Sequence, residues 1–167
     1  SKSASQKLVD ISDNKEALRE YYSRIKDIRN NFVFNQIHTE ENFFNMLNRI
    51  FGSSPTSRVY MIPDKAGNMD AAGFIINWGD YMHLKLQNPK GFFKFIDALK
   101  ITDKILYPTL LVGSQDSVKQ LLKGAAHKYR KEHGVQVSLL AGYEGDPYFD
   151  IKKSIVYNPY LFFVIYD

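Results

Sequence analysis

The chain contains no cysteine, and this absence excludes several classes of protein at once. Disulfide-stapled scaffolds, zinc ribbons, iron–sulfur proteins and thiol-dependent enzymes all need that residue. A cysteine-free chain suits a reducing compartment, so we expect a cytoplasmic protein. The 4 histidines are scattered along the sequence, and their spacing is not typical of a metal site, so we expect no metal.

Long apolar segments are also missing. The longest apolar run, residues 160–166, is far shorter than the about 20 residues that a membrane-spanning helix needs. The first residues lack the apolar stretch of a signal peptide. We therefore expect no membrane partner, and we interpret residues 1–13 as a flexible N-terminal linker. The rest, residues 14–167, is long enough for a single domain with a sizeable core.

Excess charge of one sign is small. The 22 Lys and Arg residues exceed the 18 Asp and Glu residues by four, and adjacent basic residues occur only in pairs. Nucleic-acid-binding modules concentrate basic residues in a run or on one face. We therefore predict a solvated basic surface and no nucleic-acid partner. Most of the 12 Phe and 11 Tyr residues occur at the spacing of a helix core or strand core, which indicates packing.

Apolar residues at steps of three and four predict four helices, and apolar runs between turn signals predict five strands. The helices are one beginning at Asp13 or Asn14, one from Thr39 to Gly52, one behind Asn88–Pro89 and one over Gln115–His133. The strands are Arg58–Ile62, Ala71–Trp78, Ile105–Val112, Val135–Tyr143 and Leu161–Tyr166. This order predicts an α/β (α+β) fold. Its central sheet is mixed and mostly antiparallel, with one parallel strand–helix–strand unit and helices on both faces.

The order of elements resembles the GCN5-related N-acetyltransferase (GNAT) superfamily. The stretch Ile105–Gly113, the helix residues Gln120–Gly134 and the following Val135–Ala141 are similar to the acyl-CoA strand of the family, its central helix and the next strand. The hairpin that ends in Ala71–Ile76 is similar to the second and third strands of the family. The resemblance implies a GNAT-like fold over the whole predicted domain.

The resemblance also implies a cofactor, acetyl-CoA or another acyl-CoA. In the family, a glycine-rich turn at a helix N-terminus directs backbone N–H groups and the positive end of the helix dipole at the pyrophosphate. The family motif is Arg or Gln, two residues, Gly, one residue, and Gly or Ala, whereas this chain reads Val112-Gly-Ser-Gln-Asp-Ser-Val118. The residues that the resemblance assigns to the cofactor are Leu111, Val112, Gly113, Ser114 and Ser117. A second interpretation is that Ser114 or Asp116 only caps the helix.

Catalysis in the family needs a base near the buried strand and a tyrosine that protonates the departing thiolate. The strand Ile105–Val112 contains no Asp, Glu or His. By resemblance the acid is Tyr157, with Tyr143 or Tyr148 as substitutes. Each of these tyrosines also fits a core or rim position with its hydroxyl bonded to a neighbour.

Asp80, Tyr81 and His83 follow the second strand of the hairpin, where an Asp and a His together could act as a general base. A surface turn explains the same residues.

Two hypotheses about function follow. In the first, the domain is an acyl-CoA-dependent N-acyltransferase with a degenerate pyrophosphate loop, acting on a small-molecule amine or a peptide. In the second, it is a non-catalytic structural or substrate-positioning domain of a larger tandem protein. Its partner is then a second GNAT-like domain or a second copy of the chain.

Overall fold

Residues 7–29, 39–81, 90–91, 94, 104–135 and 137–138 are described in the computed structural model of the chain, and the architecture below is theirs. The predicted helix behind Pro89 falls almost entirely outside these ranges. So do the predicted closing strand and most of the strand predicted over Val135–Tyr143.

Two helices precede the long strands. Helix α1 spans Lys15–Arg29 and helix α2 spans Glu40–Ser53, which confirms both predicted helices. The side chain of Thr39 caps α2, since its Oγ1 accepts a hydrogen bond from the backbone N–H of Asn42 at 3.1 Å. Glu40, in the first turn, adds a favourable negative charge at the positive end of the helix dipole.

The described residues form five strands and two further helices: β1 Val9–Asp10, β2 Arg58–Pro63, β3 Met69–Asn77, α3 Trp78–Tyr81, β4 Ile105–Gly113, α4 Gln115–His133 and β5 Val137–Ser138. The strands make one sheet in the order β1-β2-β3-β4-β5. The first four strands pair antiparallel, and β4 pairs with β5 in parallel over two residue pairs. A single turn of helix, α3, follows β3, and the long helix α4 connects β4 to β5.

The edge strand β1 lies in the segment that we interpreted as a linker. Val9 pairs with Met61 of β2, and Ile11 behind it is buried with 2% of its surface exposed. The side-chain Oγ of Ser12 accepts a hydrogen bond from the backbone N–H of Val59 at 2.9 Å. The linker interpretation therefore does not hold for residues 9–12, which pack against the sheet. A two-residue strand has too few residues for its alternation to show in the sequence.

The sheet separates two hydrophobic clusters. One contains Ala72 and Phe74 of β3 together with buried side chains of α1 and α2. The other contains Ala71 and Ile75 of β3 together with buried side chains of α4. Because successive residues of a strand point to opposite faces, α1 and α2 cover one face of the sheet and α4 covers the other.

Candidate functional site

The junction between β4 and α4 is the place where the resemblance puts a cofactor. Strand β4 ends at Gly113 and α4 begins at Gln115, so Ser114 alone lies between them. A phosphate-binding turn needs several backbone N–H groups that are free to face the ligand. The single connecting residue adds no separate loop, so these groups would have to come from the first turn of α4.

Gly113 is enclosed by the neighbouring strand. Its φ is +123°, and a Cβ atom at this position would lie 2.6 Å from the carbonyl oxygen of Asp70 and 2.7 Å from the Cα of Ala71. Gly113 also pairs with Ala71 in the sheet. The close approach of β3 therefore explains why a glycine stands here, without any ligand.

Two serines and a carboxylate close the N-terminus of α4. The Oγ of Ser114 accepts a hydrogen bond from the backbone N–H of Ser117 at 3.3 Å and donates one to the Oγ of Ser117 at 2.8 Å. The Oγ of Ser117 in turn donates to the Oδ2 of Asp70, on β3, at 2.6 Å. The chain's own side chains thus form a continuous series of hydrogen bonds across this helix end. Ser114 therefore caps the helix, as the second interpretation expects.

The charges at this helix end are those of acids. Asp70 reaches it from β3, and Asp116 lies in the first turn of α4. A negative side chain at a helix N-terminus is stabilised by the dipole. A bound pyrophosphate would have to share the same region with both carboxylates, and like charges repel. The residues present therefore do not fit the pyrophosphate of an acyl-CoA.

Sequence reasoning missed Asp70. Its carboxylate reaches α4 only because β3 runs antiparallel to β4 and places its first residues beside the end of β4. A search for acids at the start of the strand that pairs with Gly113 would have found it.

Leu111 and Val112, also assigned to the cofactor by resemblance, belong to the two hydrophobic clusters. Val112 is 1% exposed and packs on the side of α1 and α2, whereas Leu111 packs on the side of α4. Their side chains contribute to the core on both faces of the sheet.

Strand β4 has a β-bulge in its second half. The register with β3 shifts between Ala72 and Phe74, so Leu110 and Leu111 of β4 lie opposite the single residue Gly73. A Cβ at Gly73 would lie 2.7 Å from the Cδ2 of Leu111. Gly73 therefore leaves the space into which the bulge directs the Leu111 side chain.

The bulge is held from the helix layer by Tyr21. Leu110 has a φ of +53°, in the left-handed region that leucine rarely adopts. The hydroxyl of Tyr21, on α1, donates a hydrogen bond to the carbonyl oxygen of Leu110 at 2.7 Å. Tyr21 is fully buried. This bond offsets part of the backbone strain at Leu110, and nothing in the sequence pattern predicts it.

The remaining candidates separate into described and undescribed residues. Tyr143, Tyr148, Tyr157 and His83 lie outside the described residues, so their assignments stay predictions.

The carboxylate of Asp80 stabilises the turn between α2 and β2. Its Oδ2 accepts from the backbone N–H of Thr56 and from the Oγ of Ser54, both at 3.2 Å, and also from the hydroxyl of Thr56.

The described residues hold no group of His, Asp and Glu side chains that could bind a metal ion. None of their helices has the length and apolar character needed to cross a bilayer.

Three solved structures resemble the chain in their fold. One, from Pyrococcus furiosus and provisionally titled an acetyl transferase, has a TM-score of 0.50 and 14% identity over 92% of this chain and 98% of that one. The chain has a GNAT-like fold. A GNAT-family acetyltransferase from Staphylococcus aureus has a TM-score of 0.48 and 12% identity, over 81% of this chain and 72% of its own. A Bacillus halodurans protein bearing a single substitution has a TM-score of 0.46 and 16% identity, over 83% and 82%.

No protein-family model and no curated protein matches the sequence of this GNAT-like chain. The likeness to solved structures therefore concerns the fold, and it confirms the resemblance seen in the order of elements. What the domain does has to be argued from its own residues.

Proposed function

We propose that the chain is a non-catalytic GNAT-like domain, which acts as a structural or substrate-positioning domain and binds no acyl-CoA at the N-terminus of α4. The observation that carries this proposal is the hydrogen-bonded series Ser114–Ser117–Asp70. It uses the hydroxyl groups that a phosphate would need and places a carboxylate beside them. The short junction at Ser114 and the acid Asp116 act in the same direction.

The rival function is the acyl-CoA-dependent N-acyltransferase, with acetyl-CoA or another acyl-CoA as donor and an amine as acceptor. The β-bulge at Leu110 is the observation that favours it, since bulges and left-handed non-glycine residues recur at functional sites. In that function the candidate acids are Tyr157 and Tyr143.

Titration calorimetry with acetyl-CoA and with free CoA at low salt separates the two functions. We expect no heat of binding from the native chain at millimolar ligand. Micromolar binding of either ligand would overturn the proposal and support the acyltransferase.

A pair of double variants tests the electrostatic part of the argument. In Asp70→Asn/Asp116→Asn both carboxylates at the helix end lose their charge, whereas in Asp13→Asn/Asp27→Asn the same charge is lost from two exposed residues elsewhere. We expect weak CoA binding in the first variant only, because neutral side chains no longer repel the phosphates. If the two variants gave the same calorimetric titration with CoA, the negative charge at this helix end would not be what excludes the ligand.

A further inference from the structure

The outer face of α4 carries a row of basic side chains. Lys119, Lys123, His127 and Lys131 follow one another at steps of four residues, and Arg130 lies beside them. Residues at this spacing share one side of a helix, and a rise of 1.5 Å per residue gives the row a length of about 18 Å. All but the half-buried Lys119 are exposed. We refer to these five residues as the α4 basic row.

The acids of α4 are Asp116, three residues before Lys119, and Glu132. Within the described part of the chain, no ion pair involves Lys119, Lys123 or Arg130. The acid nearest the C-terminal end of α4, Glu132, is bonded to Lys128 at 2.8 Å, and Lys128 lies outside the row. Among the described residues, Lys119, Lys123 and Arg130 are therefore cations without an ion-pair partner.

The spacing of the row is unfavourable for an isolated helix. Like charges four residues apart repel each other and destabilise the helix, whereas alternating signs would stabilise it. Lys119 and Lys123 form one such pair of like charges. Local arrangements that oppose stability are expected where they serve a function.

The row holds a large share of the basic residues for one helix face. The sequence has 22 Lys and Arg residues and 18 Asp and Glu residues. Lys119, Lys123, Arg130 and Lys131 are four of those basic residues.

We propose that the α4 basic row is a docking surface for an acidic segment of a partner protein, such as a helix with a carboxylate on each turn. Such a helix presents its carboxylates at the same rise per turn as the cations of α4, so the two rows match in spacing and in sign.

The composition of the row distinguishes this partner from other anions. Three of its four permanent cations are lysines, and Arg130 is the one guanidinium that could grip a phosphate with two hydrogen bonds. None of the exposed residues of α4 is Phe, Tyr or Trp, so a base would find only the imidazole rings of His127 and His133. Nor does this face expose large apolar side chains that could insert into a lipid surface.

The test uses a fluorescein-labelled peptide of about 20 residues, alanine-based with glutamate at every fourth position, in about 20 mM NaCl, where screening is weak. Anisotropy is compared between the native chain and Lys119→Gln/Lys123→Gln/Arg130→Gln. The control is Lys15→Gln/Lys26→Gln/Lys65→Gln, which removes the same charge from exposed residues away from α4. The same peptide with glutamine at each glutamate position controls for non-ionic binding.

We expect the α4 variant to bind the acidic peptide at least about tenfold more weakly than the native chain, and the control variant less than about twofold more weakly. We also expect the α4 variant to melt no lower than the native chain, since the repulsion within its helix is reduced. Equal weakening in the two variants would overturn the proposal, because net charge alone would then explain binding. So would the absence of peptide binding.

Two further probes identify the rival partners. Labelled single-stranded and duplex oligonucleotides test nucleic acid, and vesicles containing phosphatidylserine test an anionic membrane. One of these probes could bind more tightly than the peptide, with binding lost in the α4 variant and retained in the control. That result would overturn the proposal and identify the probe's class as the partner of the row.

Discussion

Individual residues at the end of β4 show how a motif position can have a purely structural cause. Gly113 and Gly134 both have positive φ, but only Gly113 has neighbouring atoms where a side chain would begin. A side chain has a conformational cost at both positions, and this cost is larger at Gly113, whose φ of +123° lies outside the left-handed region that Gly134 occupies at +67°. The steric part is confined to Gly113.

We expect Gly113→Ala to lower the free energy of unfolding by about 2–4 kcal/mol, since the new methyl group collides with Asp70 and Ala71 as well as straining the backbone. Gly134→Ala, at the left-handed cap of α4, should cost only about 1 kcal/mol. Urea denaturation followed by far-ultraviolet circular dichroism measures both. Equal costs would mean that β3 moves aside and that the close approach is not fixed.

A second prediction at this scale concerns Tyr21. Tyr21→Phe removes the donor that satisfies the carbonyl of the half-buried Leu110, so we expect a loss of about 1–2 kcal/mol in the free energy of unfolding. Tyr107→Phe is the control, because the ring of Tyr107 packs on Trp78 and its hydroxyl donates no hydrogen bond to any described residue. That change should stay within about 0.5 kcal/mol. Similar losses in both variants would contradict a special role for the Tyr21 hydroxyl.

The secondary-structure elements are the scale at which sequence reasoning succeeds best. Helices α1, α2 and α4 and strands β2, β3 and β4 form where periodicity and caps predict them, since each depends on neighbouring residues. The β-bulge at Leu110 and the contact of Asp70 with Ser117 depend on the register between strands distant in sequence. A pattern of apolar residues does not specify that register to the single residue. Sequence reasoning therefore missed the bulge and the contact of Asp70, although it predicted the elements around them.

The turn between β2 and β3 gives a prediction in pH. Hydrogen bonds from the backbone N–H groups of Asn68, at 2.9 Å, and Ala66, at 2.8 Å, lower the pKa of Asp64 below its ordinary value of 3.8. A carboxyl group whose pKa is lower in the folded state stabilises the fold above its unfolded pKa. The stabilisation is lost as the pH falls through the folded value.

We therefore expect the urea midpoint of the native chain to exceed that of Asp64→Asn at about pH 6, and the difference to shrink below pH 3.8. Midpoints recorded at intervals between about pH 6 and about pH 2.5 test this. A difference that is constant across the range would show that the carboxylate charge does not contribute.

At the scale of the whole molecule, neither the GNAT-like fold nor the mild net charge states a function. A count of adjacent basic residues does not reveal the α4 basic row, because most of its members are four residues apart in the sequence. The same residues could be found in the sequence by searching the predicted helix Gln115–His133 at helical spacing. Such a pattern does not show that Lys119, Lys123 and Arg130 form no ion pair within the described part of the chain, since that depends on which elements surround α4.

The sheet makes a last prediction about the molecule as one cooperative unit. Strand β3 supplies Ala72 and Phe74 to the cluster under α1 and α2, and Ala71 and Ile75 to the cluster under α4, so neither face can lose its packing without disturbing the other. Leu47→Ala in the first cluster and Leu121→Ala in the second should each cost about 2–5 kcal/mol. In both variants, Trp78 fluorescence and far-ultraviolet circular dichroism should report the same urea midpoint. Separate midpoints in either variant would show that the two faces unfold independently, and the acidic-peptide test on α4 would then have to establish first that α4 stays folded.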